Sequence, residues 1–173
     1  ALNHPNIVEI LGVLREPEIS LVMEFVHHGS LQSYLKIYKE SLQEAQLLKY
    51  ALDIAKGMEY LGRKNIVHRD LAARNILVVD ENHVKISDFG LAQVVGTNDY
   101  YILKTERELP IKWYAPESLR GGKFSVRSDV WSYGVTMCEM FDYGEEPNLV
   151  NIDKGIEGQH QQVLLTALEK GAR

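Results

Sequence analysis

The sequence predicts an α+β fold in which a short strand-rich part precedes a larger, mainly helical part. Two β-rich runs, residues 7–14 and 19–26, lie near the start of the 173-residue chain and are separated by a turn containing Pro17, which is typical of an antiparallel hairpin. Residues 43–61 carry apolar side chains at helical spacing, and residues 128–141 are apolar on all sides. These observations predict strands first and helices through most of the rest.

The composition limits the class of protein. Hydrophobic residues make up 45% and charged residues 25% of the chain, which is typical of a globular domain with a sizeable core. A net charge of −5 does not favour a nucleic-acid partner, which would require a basic surface. No apolar run reaches the length of about eighteen residues that spans a bilayer. The single cysteine, Cys138, cannot form an internal disulfide and is predicted to lie at a buried helix position.

Three element boundaries are predicted from capping signals. Residues 1–6 resemble the end of a helix that runs into a turn at Pro5. Ser30 is expected to cap a short helix that ends near Glu40. Gly62 is expected to end the helix whose apolar stripe begins at Leu47.

The second half of the chain alternates between apolar and polar segments. Residues 76–79 and 84–87 are predicted strands joined by a polar turn. Residues 91–110 are polar, and we predict a long surface loop there. Residues 142–162 are predicted to be an exposed insert, and an amphipathic helix is predicted over residues 163–170.

The candidate chemistry is concentrated in residues 65–90, which read NIVHRDLAARNILVVDENHVKISDFG. Phosphoryl transfer needs metal ions that neutralise phosphate oxygens and a carboxylate that receives the proton of the attacking hydroxyl. Asp70 suits the second role, while Asp88 and Asn75 offer the oxygen ligands that Mg²⁺ prefers. His-Arg-Asp alone could be a loop salt bridge, and Asp-Phe-Gly alone an ordinary turn. Their order and spacing together favour a phosphoryl-transfer site.

These motifs resemble those of eukaryotic protein kinases, and two details resemble the tyrosine kinases. Within HRDLAARN, Ala72 stands where serine/threonine kinases usually carry a lysine, and Arg74 stands where tyrosine kinases carry an arginine. A cation at either position can stabilise the charge of the transferring phosphate. The second detail is LPIKWYAPE at residues 109–117, which in tyrosine kinases forms a shelf for the substrate tyrosine. The resemblance assigns that shelf to Pro110, Ile111, Lys112 and Trp113.

The resemblance implies a partial protein-kinase-like fold, with ATP and Mg²⁺ as cofactors. Residues 1–26 would be the end of the small β-rich lobe with the hinge, and residues 27–173 a helical large lobe that stops before its last helices. Neither a glycine-rich loop over the phosphates nor a lysine in a V-A-I-K context occurs in the chain. We therefore expect the chain by itself to be inactive and poorly stable, with apolar surface left uncovered.

The resemblance also implies roles for individual residues. The catalytic residues would be Asp70, Arg74, Asn75 and Asp88, of which Asn75 and Asp88 would bind the metal. The adenine-binding residues would be Met23 as gatekeeper, Glu24, Phe25 and Val26 as hinge, Gly29 at the pocket lip and Leu77 below the ring. Taken on their own, Met23 and Leu77 would be plain core positions, and only their register with the motifs assigns them to the adenine pocket. Asp129 would hold the backbone of the catalytic loop, and His68 would stack on Phe89.

Two adjacent tyrosines, Tyr100 and Tyr101, lie in the polar segment after Asp88. They could simply pack onto the surface, but their place in a kinase-like activation loop favours phosphorylation. A phosphate there adds nearly two negative charges and several acceptor oxygens. Arg69 would be its natural partner, with Lys104 or Arg107 as helpers, and this pairing would order the loop.

Three segments resemble the C-terminal kinase domain of the Janus kinases: GMEYLG at residues 57–62, the tandem tyrosines, and KFSV at residues 123–126. An insert at residues 153–162 fits the same resemblance, whereas residues 143–147 and 168–171 also suit the Syk group.

The resemblance implies a non-receptor tyrosine kinase of cytokine-type signalling. It would be cytoplasmic, would act on protein tyrosines, and would be bound to a membrane receptor tail through regions outside this chain. The alternatives are a Syk-like kinase, a receptor tyrosine kinase, or a pseudokinase without catalysis. The presence of Asp70, Asn75 and Asp88 argues against the pseudokinase.

Overall fold

The computed structural model describes residues 2–89, 92–94, 100–102, 110–148 and 168, and at four positions it describes the backbone alone, namely Gln93, Val94, Tyr101 and Ile102. Several predictions from the sequence lie outside this part of the chain: those on Gly90, Lys104, Arg107 and the insert at residues 153–162. Of the helix predicted at residues 163–170 only Leu168 is described, and it is helical.

The chain begins with a two-stranded antiparallel sheet, β1 (Ile10–Leu14) and β2 (Ser20–Met23). This confirms the predicted hairpin. The turn predicted at Pro5 is confirmed, since Pro5 and Asn6 form a turn, whereas the helix end predicted before it is wrong for the described residues 2–4, which are not helical. His4 stabilises this turn. Its Nδ1 accepts a hydrogen bond from the Asn6 amide at 3.0 Å, and its carbonyl accepts one from the Ile7 amide at 3.1 Å.

Within residues 2–148, the regular structure in the described remainder is mostly helical, in α1 (Leu31–Ile37), α2 (Glu44–Arg63), α3 (Pro116–Gly121) and α4 (Val126–Phe141). Ser30 caps α1 as predicted, since its hydroxyl accepts a hydrogen bond from the Ser33 amide. Gly62 lies inside α2 and does not end it. The left-handed residue beyond the helix end is Asn65, with φ 57°, and asparagine tolerates this conformation better than most residues.

Among the described residues, six further strands form three antiparallel pairs. They are β3 (Ile66–Val67), β4 (Ile76–Asp80), β5 (His83–Ile86), β6 (Gln93–Val94), β7 (Tyr100–Ile102) and β8 (Lys123–Ser125). Strand β3 pairs with β6, β4 with β5, and β7 with β8. The β4–β5 hairpin confirms the prediction. The prediction of a strand-free loop over residues 91–110 is wrong at β6 and β7, because both strands find partners distant in sequence.

The core lies where α2 packs against β5 and α4, with α1 packed against β4 and α4. Residues 6–8 join this core through β5, since the Val8 amide donates to the Ile86 carbonyl at 2.9 Å and the Ile86 amide to the Asn6 carbonyl at 2.8 Å. Gly57 permits the contact: a Cβ there would lie 2.6 Å from Ile86 Cδ1 and 2.9 Å from the Asn6 carbonyl oxygen. The apolar stripe of α2 therefore packs as predicted.

One face of α4 is buried and the opposite face is open in the described part of the chain. Thr136 and Glu139 are buried, whereas Val130 is 65% exposed and Cys138 is exposed. The predictions of a helix buried on all sides and of a buried Cys138 are therefore wrong for the described residues. Among these residues, no helix combines the length and the apolar character needed to cross a membrane.

Candidate active site

The loop between β3 and β4 is held by a carboxylate from α4. Asp129 Oδ2 accepts a hydrogen bond from the His68 amide at 2.8 Å, and its Oδ1 accepts one from the Arg69 amide at 3.1 Å. Arg69 has φ 70°, a conformation that costs energy for a residue with a side chain. Burial raises the pKa of Asp129, and the two amide donors oppose that rise. The predicted support of this loop by Asp129 is confirmed.

His68 connects this loop to the segment before Asp88. Its Nδ1 accepts a hydrogen bond from the Asp70 amide at 3.1 Å, so the ring proton resides on Nε2. Nε2 then donates to the Ser87 carbonyl at 2.8 Å. The ring also packs 5.3 Å, centre to centre, from the ring of Phe89, as predicted. The imidazole is fully buried, which makes it a fixed bridge between the two polar segments.

Asp70 is held from two directions. Its Oδ1 lies 2.6 Å from Arg74 Nη2, and its backbone carbonyl accepts a hydrogen bond from Asn75 Nδ2 at 2.7 Å. The side chain of Asp70 remains 15% exposed, so a hydroxyl group can reach it. The Arg74 guanidinium is itself placed by stacking, with Cζ 4.5 Å from the ring centre of Trp113.

Asn75 and Asp88 are brought together by the backbone. The Ser87 amide donates to the Asn75 carbonyl at 2.8 Å, and Asp88 follows directly with φ 58°. Because Nδ2 of Asn75 is engaged with Asp70, its Oδ1 is the remaining polar atom of that side chain, and it accepts no hydrogen bond from the described residues. One carboxylate and one amide oxygen are a suitable donor set for Mg²⁺. These residues therefore fit the metal that the sequence implies.

The predicted adenine-binding residues also lie close together. The Val78 amide donates to the Gly29 carbonyl at 2.9 Å, which places the pocket lip beside Leu77. In the described part of the chain, neither the Glu24 carbonyl nor the Val26 amide takes part in a hydrogen bond, so both can bind a ligand. Met23 ends β2, and Phe25 is exposed.

The side chain of Glu24 fixes the hinge in place. It pairs with Lys85 Nζ at 2.6 Å and accepts a hydrogen bond from the Glu9 amide at 2.9 Å. The Lys85 ammonium holds the pKa of this carboxyl below its usual value. The hinge backbone is thereby anchored to both β5 and the start of the first hairpin.

The four predicted shelf residues do not share one surface. Pro110 and Ile111 are half-buried and Lys112 is exposed, but Trp113 is only 7% exposed. Trp113 Nε1 donates to Glu139 Oε2 at 2.9 Å, and its ring lies against Arg74. Trp113 therefore supports the other three residues from inside the protein.

The predicted phosphorylation sites, Tyr100 and Tyr101, lie in β7, which pairs with β8. Tyr100 pairs with Ser125 and Tyr101 with Phe124, and Lys123 Nζ lies 4.3 Å from the ring centre of Tyr100. Arg69 is 4% exposed, with its Cζ 4.6 Å from the ring centre of Phe124.

Two residues that sequence reasoning missed contact this site: Glu139 and Lys123. Glu139 had a detectable signal, since it and Asp129 are the two acids of a helix rich in apolar residues, and buried acids require hydrogen-bonding partners. Lys123 had none, because its contact with Tyr100 depends on the pairing of β7 with β8.

Comparison of the sequence with known proteins shows the family of the chain. Residues 1–173 match the family of protein tyrosine and serine/threonine kinases. The chain is 54% identical over 147 residues to tyrosine-protein kinase HTK16 of Hydra vulgaris, covering 84% of this chain and 19% of that protein. It is 47% identical over 175 residues to tyrosine-protein kinase hopscotch of Drosophila melanogaster, covering 99% of this chain and 14% of that protein.

A third relative is receptor tyrosine-protein kinase erbB-4 of Homo sapiens, which is 41% identical over 173 residues, covering 100% of this chain and 13% of that protein. The chain thus spans less than a quarter of the length of these three relatives. The match over the whole chain shows that it belongs to the protein tyrosine and serine/threonine kinase family.

Proposed function

We propose that this chain is the catalytic part of a protein tyrosine kinase, which transfers the γ-phosphate of ATP to a tyrosine hydroxyl. The observation that carries this proposal is the convergence of Asp70, Asn75 and Asp88. Asn75 Nδ2 donates to the Asp70 carbonyl at 2.7 Å, and the Asn75 carbonyl accepts from the amide of Ser87 at 2.8 Å. Because Asp88 follows Ser87 directly, these two bonds bring the three residues near one another. The relatives described above are named as tyrosine kinases, which supports tyrosine as the acceptor.

Each polar group has a place in this chemistry. Asp70 would receive the proton of the tyrosine hydroxyl, and Arg74 would stabilise charge on the transferring phosphate. Asn75 and Asp88 would hold Mg²⁺, which when bound neutralises charge on the phosphate oxygens. The Glu24 carbonyl and the Val26 amide would bind adenine, with Phe25 between them.

The acceptor would be selected by the segment that Trp113 supports. Pro110 and Ile111 offer an apolar surface, and Lys112 is oriented by an ion pair with Glu146 at 2.8 Å. A tyrosine ring packing there would place its hydroxyl farther from the peptide backbone than a serine hydroxyl. The distance between the bound peptide backbone and Asp70 would thus favour a tyrosine hydroxyl over a serine hydroxyl.

A matched pair of peptides tests this function. The full-length protein is incubated with ATP, Mg²⁺ and two peptides that differ only in tyrosine or serine at the acceptor position. We expect kcat/KM for the tyrosine peptide to be higher by on the order of 10²-fold. Equal rates for both peptides would contradict tyrosine specificity, and ATP binding without transfer to either would support the pseudokinase alternative.

We further propose that the protein is a non-receptor kinase of the Janus type in cytokine-type signalling. It would act in the cytoplasm, and regions outside this chain would bind a receptor tail. Residues 1–26 would form the end of the small lobe and the hinge, and residues 27–173 the large lobe. The match to hopscotch over 99% of the chain is compatible with this assignment. The match to ZAP-70 of Mus musculus, at 48% identity, keeps the Syk-like alternative open.

The segment at β7 is proposed to be regulated by phosphorylation of Tyr100 and Tyr101. Lys123 lies against the Tyr100 ring, so a phosphate on Tyr100 would have a cation within reach. Pairing of the phosphate with Arg69, as the sequence suggested, would require the guanidinium to leave its contact with Phe124.

Replacing both Tyr100 and Tyr101 with phenylalanine tests this regulation. We expect peptide phosphorylation after preincubation with ATP to fall by about tenfold, the equivalent of one lost charge-assisted hydrogen bond. Phosphopeptide mapping would show the loss of phosphotyrosine from this segment, and Tyr38→Phe, on the distant α1 side, is the control. Unchanged activity and phosphotyrosine content in the double variant would refute the proposal.

A further inference from the structure

Glu139 of α4 is a buried acid with an unusual set of partners. It is 1% exposed, and its Oε2 accepts hydrogen bonds from the Ala73 amide and from Trp113 Nε1, each at 2.9 Å. Its Oε1 has no hydrogen-bond partner among the described residues. Burial raises the pKa of this carboxyl, and the two donors oppose the rise. Burying a carboxylate costs free energy of folding unless hydrogen bonds compensate for it. The two hydrogen bonds to Oε2 therefore indicate what this buried acid does.

Both contacts lead to Arg74. Ala73 immediately precedes Arg74, so the first hydrogen bond fixes the backbone from which the arginine side chain extends. The second fixes the indole of Trp113, whose ring lies 4.5 Å from Arg74 Cζ. Arg74 Nη2 in turn lies 2.6 Å from Asp70 Oδ1. A single oxygen of Glu139 thus restrains the guanidinium that contacts the proposed proton acceptor.

Glu139 and Asp129 hold different parts of the same loop. Ten residues of helix separate them, which corresponds to roughly 15 Å along the axis of α4. Asp129 binds the amides of His68 and Arg69 at the start of the loop, and Glu139 binds the amide of Ala73 further along. Of these two acids, Glu139 is the one that also contacts the shelf, through Trp113.

We propose that Glu139 is a positioning residue for phosphoryl transfer, whose Oε2 orients Arg74 against Asp70 and fixes Trp113 beneath the substrate tyrosine. This proposal rests on the function proposed above. It predicts that loss of the acceptor oxygen raises KM and lowers kcat for the peptide more than it changes KM for ATP. In the described part of the chain, the hydrogen bonds of Glu139 go to Ala73 and Trp113 and not to the hinge residues that would bind adenine. A purely structural role would change stability without this distinction.

Three variants of the full-length protein separate the two roles. Glu139→Leu fills a similar volume but removes the acceptor. Glu139→Gln keeps a carbonyl oxygen that can accept from both donors. Tyr133→Phe is the control, because it removes one hydrogen bond from α4, the 2.9 Å bond to the Ala51 carbonyl in α2, which lies away from the loop. For each variant, kcat, KM for a tyrosine peptide, KM for ATP and the thermal unfolding midpoint are measured.

We expect Glu139→Leu to lower kcat/KM for the peptide by on the order of 10²-fold, the usual cost of a misplacement of about 1 Å in a catalytic group. KM for ATP should stay within about twofold, and Glu139→Gln should recover kcat/KM to within about fivefold of the unaltered protein. In a fourth variant, Trp113→Phe added to Glu139→Leu should lower kcat/KM little further, since both changes remove the hydrogen bond between Trp113 and Glu139. Tyr133→Phe should lower only the unfolding midpoint.

The proposal is overturned if Glu139→Leu stays within about threefold of Tyr133→Phe in kcat/KM, or if Glu139→Gln is as impaired as Glu139→Leu. An unaltered protein that transfers no phosphate to tyrosine would overturn the proposed function and this inference with it. An active protein whose Glu139→Leu variant has normal peptide kinetics would overturn this inference alone.

Discussion

Replacing Asp70 with asparagine is expected to lower kcat for a tyrosine peptide by about 10³-fold, because a positioned general base contributes typically 10²- to 10⁴-fold. Asparagine has nearly the same shape but cannot receive the proton of the attacking hydroxyl. It also leaves Arg74 without the carboxylate that now lies 2.6 Å from its Nη2. ATP affinity should change by no more than about twofold, since the proposed adenine contacts lie on the hinge.

The measurement is a steady-state assay with the tyrosine peptide, combined with nucleotide binding by calorimetry. Asp80→Asn is the matched control, because Asp80 is exposed at the end of β4, where its Oδ1 accepts from the Asn82 amide of the turn at 2.7 Å. Both variants should unfold at nearly the same urea concentration as the unaltered protein. An Asp70→Asn protein that retained more than about a tenth of its kcat would show that another group receives the proton.

Much of the site could be predicted because its residues are close in sequence. Asp70, Arg74 and Asn75 lie within six residues, and the short loop that contains them leaves few ways to arrange their side chains. The β4–β5 hairpin then returns the chain to Asp88, as its two strands and polar turn predicted. Local spacing and one hairpin therefore predict that the proposed catalytic residues lie together, while the conformation of their loop also depends on Asp129 of α4.

The parts that could not be predicted depend on contacts distant in sequence. The burial of Trp113 follows from its bond to Glu139, which lies 26 residues away. The contact of Arg69 with Phe124 likewise joins the loop between β3 and β4 to β8, a strand more than fifty residues further along. Residue type alone favours an exposed arginine, so the observed burial requires knowledge of the neighbouring aromatic ring.

The open face of α4 shows another limit. The apolar composition of residues 128–141 predicted burial on all sides, yet Val130 and Cys138 are exposed in the described part of the chain. Composition reports how much apolar surface a helix carries but not which of its neighbours cover it. Helix ends are ambiguous for a related reason, since α2 continues past Gly62 to Arg63 and the left-handed residue that follows it is Asn65.

Replacing Asp129 with alanine is expected to lower both stability and activity. The carboxylate accepts the amides of His68 and Arg69 at 2.8 and 3.1 Å, and it is only 3% exposed. Alanine would leave two buried donors without partners, which should lower the free energy of unfolding by about 2–5 kcal/mol. It would also release Arg69 from its φ of 70°, so the loop that carries Asp70 would relax.

Urea unfolding and peptide kinetics on the same samples measure the two effects. Asp142→Ala is the control: Asp142 is an exposed acid next to the other end of α4, where a negative charge is slightly unfavourable, so its loss should leave both properties nearly unchanged. For Asp129→Ala we expect kcat to fall by on the order of 10²-fold even at urea-free conditions where the protein is folded. If Asp129→Ala matched Asp142→Ala in both measurements, the loop would not depend on α4 for its conformation. If Asp129→Ala instead lost stability but kept a normal kcat, Asp129 would act in folding alone. Asp70→Asn should show the reverse pattern, with a lower kcat and normal stability.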